Sequence, residues 1–399
     1  MANNQNSKNP LQYWTYQGTR LIVFLICVTL SLVVGAHVSF AAETNTVLGP
    51  SKAGWLQATP GYEFVFPRDH GSHDEYGLEW WYFTGHLSSQ SGRRFGYELT
   101  FFRKGVRQAH LHDRSSEWAI HHLYFAHLAL TDLQAQTFHF AEKLSRAGLG
   151  KAGANAHQME VWIDKWSLKP VTPDHQSLFL KASKGNIGLN LTLNLRKSPV
   201  VHGEDGISRK GTKEGQASHY YSLTRLATQG EVVVDSTPIE VTGLSWMDHE
   251  FGSGELGQDQ VGWDWFSLQF DSDMELMVYR LRKKDGSPDP ASSGTLIVGA
   301  GNLKHLQVED IVVETRNYWM SPHSHTRYPS EWVLEVPSAQ LRVQVIPVLS
   351  DQELRTSKST RVTYWEGAVD VEGQYRGRPI RGQGYVELTG YSQALRMDN

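Results

Sequence analysis

The densest run of reactive side chains is Trp246-Met247-Asp248-His249-Glu250-Phe251-Gly252-Ser253-Gly254, followed by Gly262-Trp263-Asp264-Trp265. A carboxyl group beside a histidine and desolvated by aromatic rings has its pKa raised, which suits it to donate a proton near neutral pH. The same residue types also serve a barrel-mouth turn, with Asp248 capping backbone amides and His249 bonded to a loop. The first half of the chain offers Asp69, His70, His73, Asp74 and Glu75, then Glu79-Trp80-Trp81, where Glu79 abuts an aromatic wall. Neighbours along a strand face opposite sides, so Trp80 and Trp81 cannot line one cavity; one is expected in a core and the other between domains.

Other chemistries find less support. Histidines pair at His110 and His112, His121 and His122, and His323 and His325. An alternating pair such as His110 and His112 shares a strand face and makes half a metal site, but no third ligand is specified by spacing. Ser218-His219-Tyr220-Tyr221-Ser222 sets Ser beside His, yet strand neighbours point apart and a triad needs more. The chain has no Gly-x-Ser-x-Gly elbow, Walker loop, dinucleotide fingerprint or His-Glu-x-x-His helix.

The elements that must position these residues are strands. The 399 residues suffice for about two domains. Aromatics make up 11%, including 13 Trp, and with 36 Gly they favour strands and turns over helices. From Tyr62 onward short aromatic or branched runs are cut by Gly, Asp, Asn and Pro every ten residues or so, the pattern of an antiparallel meander. A polar, Gly-rich stretch from Ser198 to Ala217 interrupts it, and Ala135 to Leu149 could hold a short helix. Glu79-Trp80-Trp81-Tyr82-Phe83 with Gly96 to Arg103 is echoed by Gly262-Trp263-Asp264-Trp265-Phe266 with Asp273 to Arg280, and Asp69-His70 by Asp248-His249. The reading is all-β: two antiparallel β-barrels in tandem with little helix, residues 61–228 and 229–399, each able to hold one small apolar ligand.

Residues 1–41 have the layout of a signal peptide, with Lys8 and Arg20 ahead of an apolar run from Leu21 to Ala36, and Ser39 and Ala41 before a cut at Ala42. Residues 42–60 read as a linker or arm. The only cysteine, Cys27, lies inside the apolar run, so the mature chain would carry no thiol chemistry. The expectation is an exported protein of the periplasm or exterior. A formal charge of -4, with 38 basic against 42 acidic residues, supplies no basic excess for nucleic acid.

The sequence resembles the secreted AttH-like proteins, relatives of carotenoid hydratases built as two lipocalin-like β-barrels. The resemblance rests on Glu79 to Leu87, Leu99 to Arg103, Ala126 to Asp132, Ser218 to Arg225, Trp246 to Gly252, Gly262 to Phe266, Tyr364 to Ala368 and Gly384 to Tyr391. It implies a cavity for an apolar ligand. In the related hydratases an acid protonates a carbon-carbon double bond, aromatic rings stabilise the cation and water captures it. Asp248 and His249 match the Asp-His of that family's Asp-His-x-Trp segment, with Phe251 in place of the Trp. The later Tyr-x-Asp element falls on Tyr279-Arg280-Leu281, so its acid is replaced by Leu. AttH-like proteins are also described as predicted secreted hydrolases.

The resulting expectation is a protein that binds a hydrophobic isoprenoid or acyl molecule and acts on it by acid catalysis. Asp248 would donate the proton, with His249 orienting it or activating water. Trp246, Phe251, Trp263, Trp265 and Tyr279 would wall the site, and Glu79 and Trp81 would join from the first domain at an inter-domain crevice. The alternatives are a non-catalytic lipid carrier or envelope protein, and a secreted metal-dependent hydrolase using the histidines. No cofactor and no metal are expected in the leading reading, nor is nucleic acid; a transient contact with a membrane surface is.

Overall fold

The computed structural model describes residues 54–106, 120–213, 215–252 and 256–395; the expected signal segment 1–41, most of the arm, and His110 and His112 lie outside them. Apart from three 3-10 turns, the described elements are strands. They form two antiparallel sheets, one of thirteen strands and one of ten, each curled into a near-closed barrel around its own apolar core. Strand alternation builds each core: Trp81, Phe83 and Leu87 of strand Leu78–Ser89 point into the first barrel, while Phe266, Leu268 and Phe270 of strand Gln260–Phe270 point into the second.

Turn chemistry sets the register. Asp235 and Ser236, with φ of 50° and 64°, close a two-residue hairpin between Ala217–Val234 and Thr237–Gly252. Arg376 and Gly377, at 51° and 73°, close another between Thr363–Tyr375 and Arg378–Leu388. Two consecutive left-handed residues match the right-handed twist of the flanking strands.

Two expectations change. Residues 135–149 are not helical: Thr137–Arg146 is a strand paired along its length with His122–Asp132, where edge pairing overrides the local helical pattern. Nor does the chain change barrel at 228/229, because Ala217–Val234 continues through that point and pairs with Thr237–Gly252, itself bonded to Leu78–Ser89. Residues 229–252 thus belong to the first sheet, and the second begins at Gln260. The polar 198–217 stretch carries the short strands Val200–Val201 and Ser208–Arg209, both paired with Ala217–Val234, which bring His202 and Lys210 towards the second sheet.

Candidate functional site

A third aromatic cluster lies between the barrels rather than inside either. It contains Tyr82, Tyr220 and Trp246 from the first sheet, and Trp265, Tyr279 and Tyr385 from the second, with Trp80 and Trp263 against it. All are on the strand faces turned away from the barrel cores. All but Trp246 and Tyr385 border a crevice with a cavity of about 120 Å³, also lined by Phe102, Leu256 and Leu395. Most of the wall is aromatic or aliphatic; the titratable groups set into it are Asp248, Glu250, Glu366, Glu387, His127 and Lys210, besides the tyrosines.

Asp248 is 4% exposed. Its Oδ2 accepts from Tyr220 Oη at 2.7 Å, and its Oδ1 from Trp246 Nε1 at 2.6 Å and from Ser222 Oγ. Burial pushes this carboxyl up to about 7; the three donors oppose the rise, and the nearby Glu250 charge adds to it. Tyr220 Oη in turn accepts from Trp265 Nε1 at 3.1 Å, so a second-sheet ring buttresses the acid. Glu387 enters from the second sheet, where Trp263 Nε1 donates to it at 2.8 Å; burial also raises this carboxyl to about 7, helped by Asp248 and Glu250. Burial lifts Glu366 well above the usual range, as does the proximity of Glu387 and Glu98, and Tyr82 Oη donates to it at 2.5 Å. The crevice ammonium, Lys210, pairs with Glu250 at 2.9 Å and sits 4.3 Å from the Tyr279 ring centroid.

His249 is on the other face of the strand and does not orient Asp248. Its Nε2 meets Glu79 Oε1 at 2.8 Å and its Nδ1 meets Tyr221 Oη at 3.1 Å, inside the mouth of the first barrel, with Trp81 stacked on the ring at 4.9 Å. Glu79 also receives Arg103 Nε at 2.9 Å and approaches His73 Nδ1 at 2.9 Å. Burial would raise Glu79; Arg103 first, then His249 and His73, outweigh it and hold the carboxylate well below its usual range. Burial likewise opposes charge on His73, but its bonds to Asp69 and Glu79 lift it to about 9. Phe251 stacks on His73 with ring centroids 3.5 Å apart. Glu79, Trp81, Phe251 and His249 thus line the first barrel and not the crevice.

His73, Glu79 and His249 bring three ligand atoms within 4.8 Å of one another, the right types for zinc. Arg103 Nε donates to the same Glu79 carboxylate at 2.9 Å, so these residues also form a buried ion-pair network. Of the other histidines, His323 faces Asp351 at 2.9 Å on the surface, and His127 is tied to Tyr364 and Ser359 with burial lowering it to about 3.

The AttH-like family model matches residues 57–391, nearly all of the described chain. The chain belongs to the AttH-like family. Its fold is shared with an AttH from Nitrosomonas europaea at a TM-score of 0.75, with 30% identity over 84% of this chain and 99% of that one. Kievitone hydratase from Nectria haematococca superposes at a TM-score of 0.66 with 14% identity, covering 87% and 98% of the two chains. Among curated relatives, dehydratase asqC of Emericella nidulans is 22% identical over 223 residues, 54% of this chain and 62% of its own length.

In this AttH-like chain the crevice gathers Asp248, Trp263, Trp265 and Tyr279 from the expected set, with Trp246 behind Asp248 as a donor. Trp80, Tyr82, Tyr220, Lys210, Glu366 and Glu387 complete it. Strand alternation was the signal for Trp80 and Tyr82: they share the parity opposite to Trp81 and Phe83. Glu387 stands next to conspicuous aromatic and aliphatic residues in Gly384 to Tyr391, but only the pairing of Arg378–Leu388 with Gln260–Phe270 turns it toward Trp263.

Proposed function

We propose that this AttH-like protein binds an apolar, unsaturated small molecule in the crevice between its barrels and adds water to it, or removes water from it, by acid catalysis. The observation that carries the reading is a carboxyl pair, Asp248 from one sheet and Glu387 from the other, set in an aromatic cavity and both raised to about 7. At neutral pH one can be protonated while the other is ionised, which is the division of labour that water addition requires.

In the hydration direction the Asp248 carboxyl gives its proton to an alkene carbon, the π pair forming the new C–H bond. The cation left on the adjacent carbon faces the rings of Trp265, Tyr82 and Trp263. Water adds through an oxygen lone pair, and its surplus proton passes to ionised Glu387. Asp248 ends ionised and Glu387 protonated; exchange with solvent restores both. Dehydration is the same sequence reversed, with Asp248 taking a carbon-bound proton and Glu387 protonating the departing hydroxyl. The names of the hydratase and dehydratase relatives agree with either direction.

Organic extraction and native mass spectrometry of protein from its own host identify the bound molecule. Incubation of that molecule in oxygen-18 water should then yield a labelled alcohol with wild type and none with Asp248→Asn; equal labelling by the variant removes the acid from the mechanism, and recovery of unchanged ligand with both proteins makes the protein a carrier. Export after Ala41 belongs to this proposal, and N-terminal sequencing of the mature chain should begin at Ala42.

A further inference from the structure

Asp248 must regain a proton after each hydration while the crevice is filled by an apolar molecule. Its back is connected to a buried histidine that takes no part in the crevice. Ser222 Oγ donates to Asp248 Oδ1, and His202 Nε2 lies 2.6 Å from the same Ser222 Oγ. His202 Nδ1 lies 2.9 Å from Thr295 Oγ1 in the second sheet. His202 is 1% exposed, so one imidazole bridges two hydroxyls, one from each barrel, with no water needed.

Beyond Thr295 the path turns outward. Thr295 stands directly opposite His305 in the pairing of Ser293–Val298 with Asn302–Gln307, so the two side chains share one face of the sheet with Cβ atoms about 5 Å apart. Half-buried His305 has a buried Nδ1 with no hydrogen-bond partner among the described residues. It also lines a surface cleft with Gly203, Glu204 and Gln307, which Tyr279 separates from the crevice by lining both.

Building on the acid role of Asp248, we propose that Ser222, His202, Thr295 and His305 form a proton relay that exchanges the Asp248 proton with solvent behind an occupied crevice. A proton entering at His202 Nδ1 from Thr295 releases the one on Nε2 to Ser222, whose own hydroxyl proton moves to Asp248. That inward transfer leaves the imidazole protonated on Nδ1; the outward transfer, from Asp248 to Ser222, from Ser222 to Nε2 and from Nδ1 to Thr295, restores the starting tautomer. Successive inward and outward transfers, with each hydroxyl rotating between them, exchange the Asp248 proton for one from solvent. Burial drives His202 down to about 3, with Lys210 and His305 adding to the effect, so the ring rests neutral with one donor and one acceptor nitrogen. His202 is a positioning and relay residue, not a catalytic one.

Infrared spectroscopy tests this on the full-length protein without a known substrate. The Asp248 carboxyl band is the one lost in Asp248→Asn at pH 6, and its shift after rapid mixing into deuterium oxide reports proton exchange. With benzene filling the crevice as the probe, exchange in His202→Gln should be slower than in wild type by roughly tenfold or more. Gln keeps hydrogen-bonding groups at both hydroxyls but cannot pass a proton through a tautomer change, so a purely structural role would leave exchange unaltered. Thr295→Val breaks the path at a second point and should slow it likewise. Exchange at the wild-type rate in both variants overturns the relay. Absence of the band at pH 6 in wild type instead overturns the acid state of Asp248, a separate failure.

Discussion

Asp248 and Glu79 are both almost fully buried, 4% and 0% exposed, and both reach strand Thr237–Gly252: Asp248 belongs to it and Glu79 bonds to its neighbour His249. Yet one carboxyl is pushed up to about 7 and the other held well below its usual range. Inside the first barrel, Glu79 meets a guanidinium and two imidazoles; in the crevice, Asp248 is held by Tyr220, Ser222 and Trp246, which lend hydrogen bonds but no charge. At equal burial, the charge of the partner decides whether a carboxylate is a structural anion or a proton donor. The two faces of one strand therefore border buried carboxyls shifted in opposite directions.

The contrast can be broken most directly at Asp248. Asp248→Asn is expected to lower turnover by about 10²–10⁴-fold with binding retained, whereas His249→Phe should leave turnover per folded molecule unchanged. Comparable loss of turnover in both variants, measured on folded protein, would join the two faces again. On the interior face, Arg103→Met leaves Glu79 without its guanidinium and should cost about 3–5 kcal/mol in urea unfolding at pH 7.

Stability should fall with rising pH at both sites, but over different pH ranges. The raised Asp248 favours unfolding increasingly as pH rises from about 4 to about 7, because the unfolded carboxyl ionises first. Asp248→Asn should accordingly stabilise the protein at pH 8 by on the order of 2–4 kcal/mol, with little gain at pH 4. For His73, raised from 6.5 to about 9, the stabilisation is complete below pH 6.5 and lost as pH passes through 9. Thermal melts of His73→Phe should lose that decline between pH 6.5 and 9, and an unchanged slope would show that His73 is not held charged. Trp265→Phe keeps the ring wall but removes the bond to Tyr220, an effect of about 1 kcal/mol that should appear as a modest rise in KM.

Alternation and turn residues carried most of the architecture in plain view. The strands around Trp80, Phe101, Tyr124 and Trp265 are readable because period-two aromatic runs end at Gly, Asn or Asp. Thr137–Arg146 was not, since an edge strand is specified by its neighbour as much as by itself. Parity alone parts Asp248 from His249 just as it parts Trp80 from Trp81, so a reading that treats the Asp-His pair as one unit conflicts with the strand on which it sits. Glu387, Lys210 and His202 were hidden for another reason. Each reaches its partners by pairings across long stretches of chain, and no local pattern marks a residue as facing a second sheet.

The in-and-out alternation along Leu78–Ser89, Thr237–Gly252 and Gln260–Phe270 also divides the labour of each strand. Outward residues such as Trp80, Tyr82 and Trp263 shape the crevice while the inward set keeps each barrel closed. Alternate letters of the same strands thus spell two sets of residues, one that closes each barrel and one that faces the neighbouring sheet.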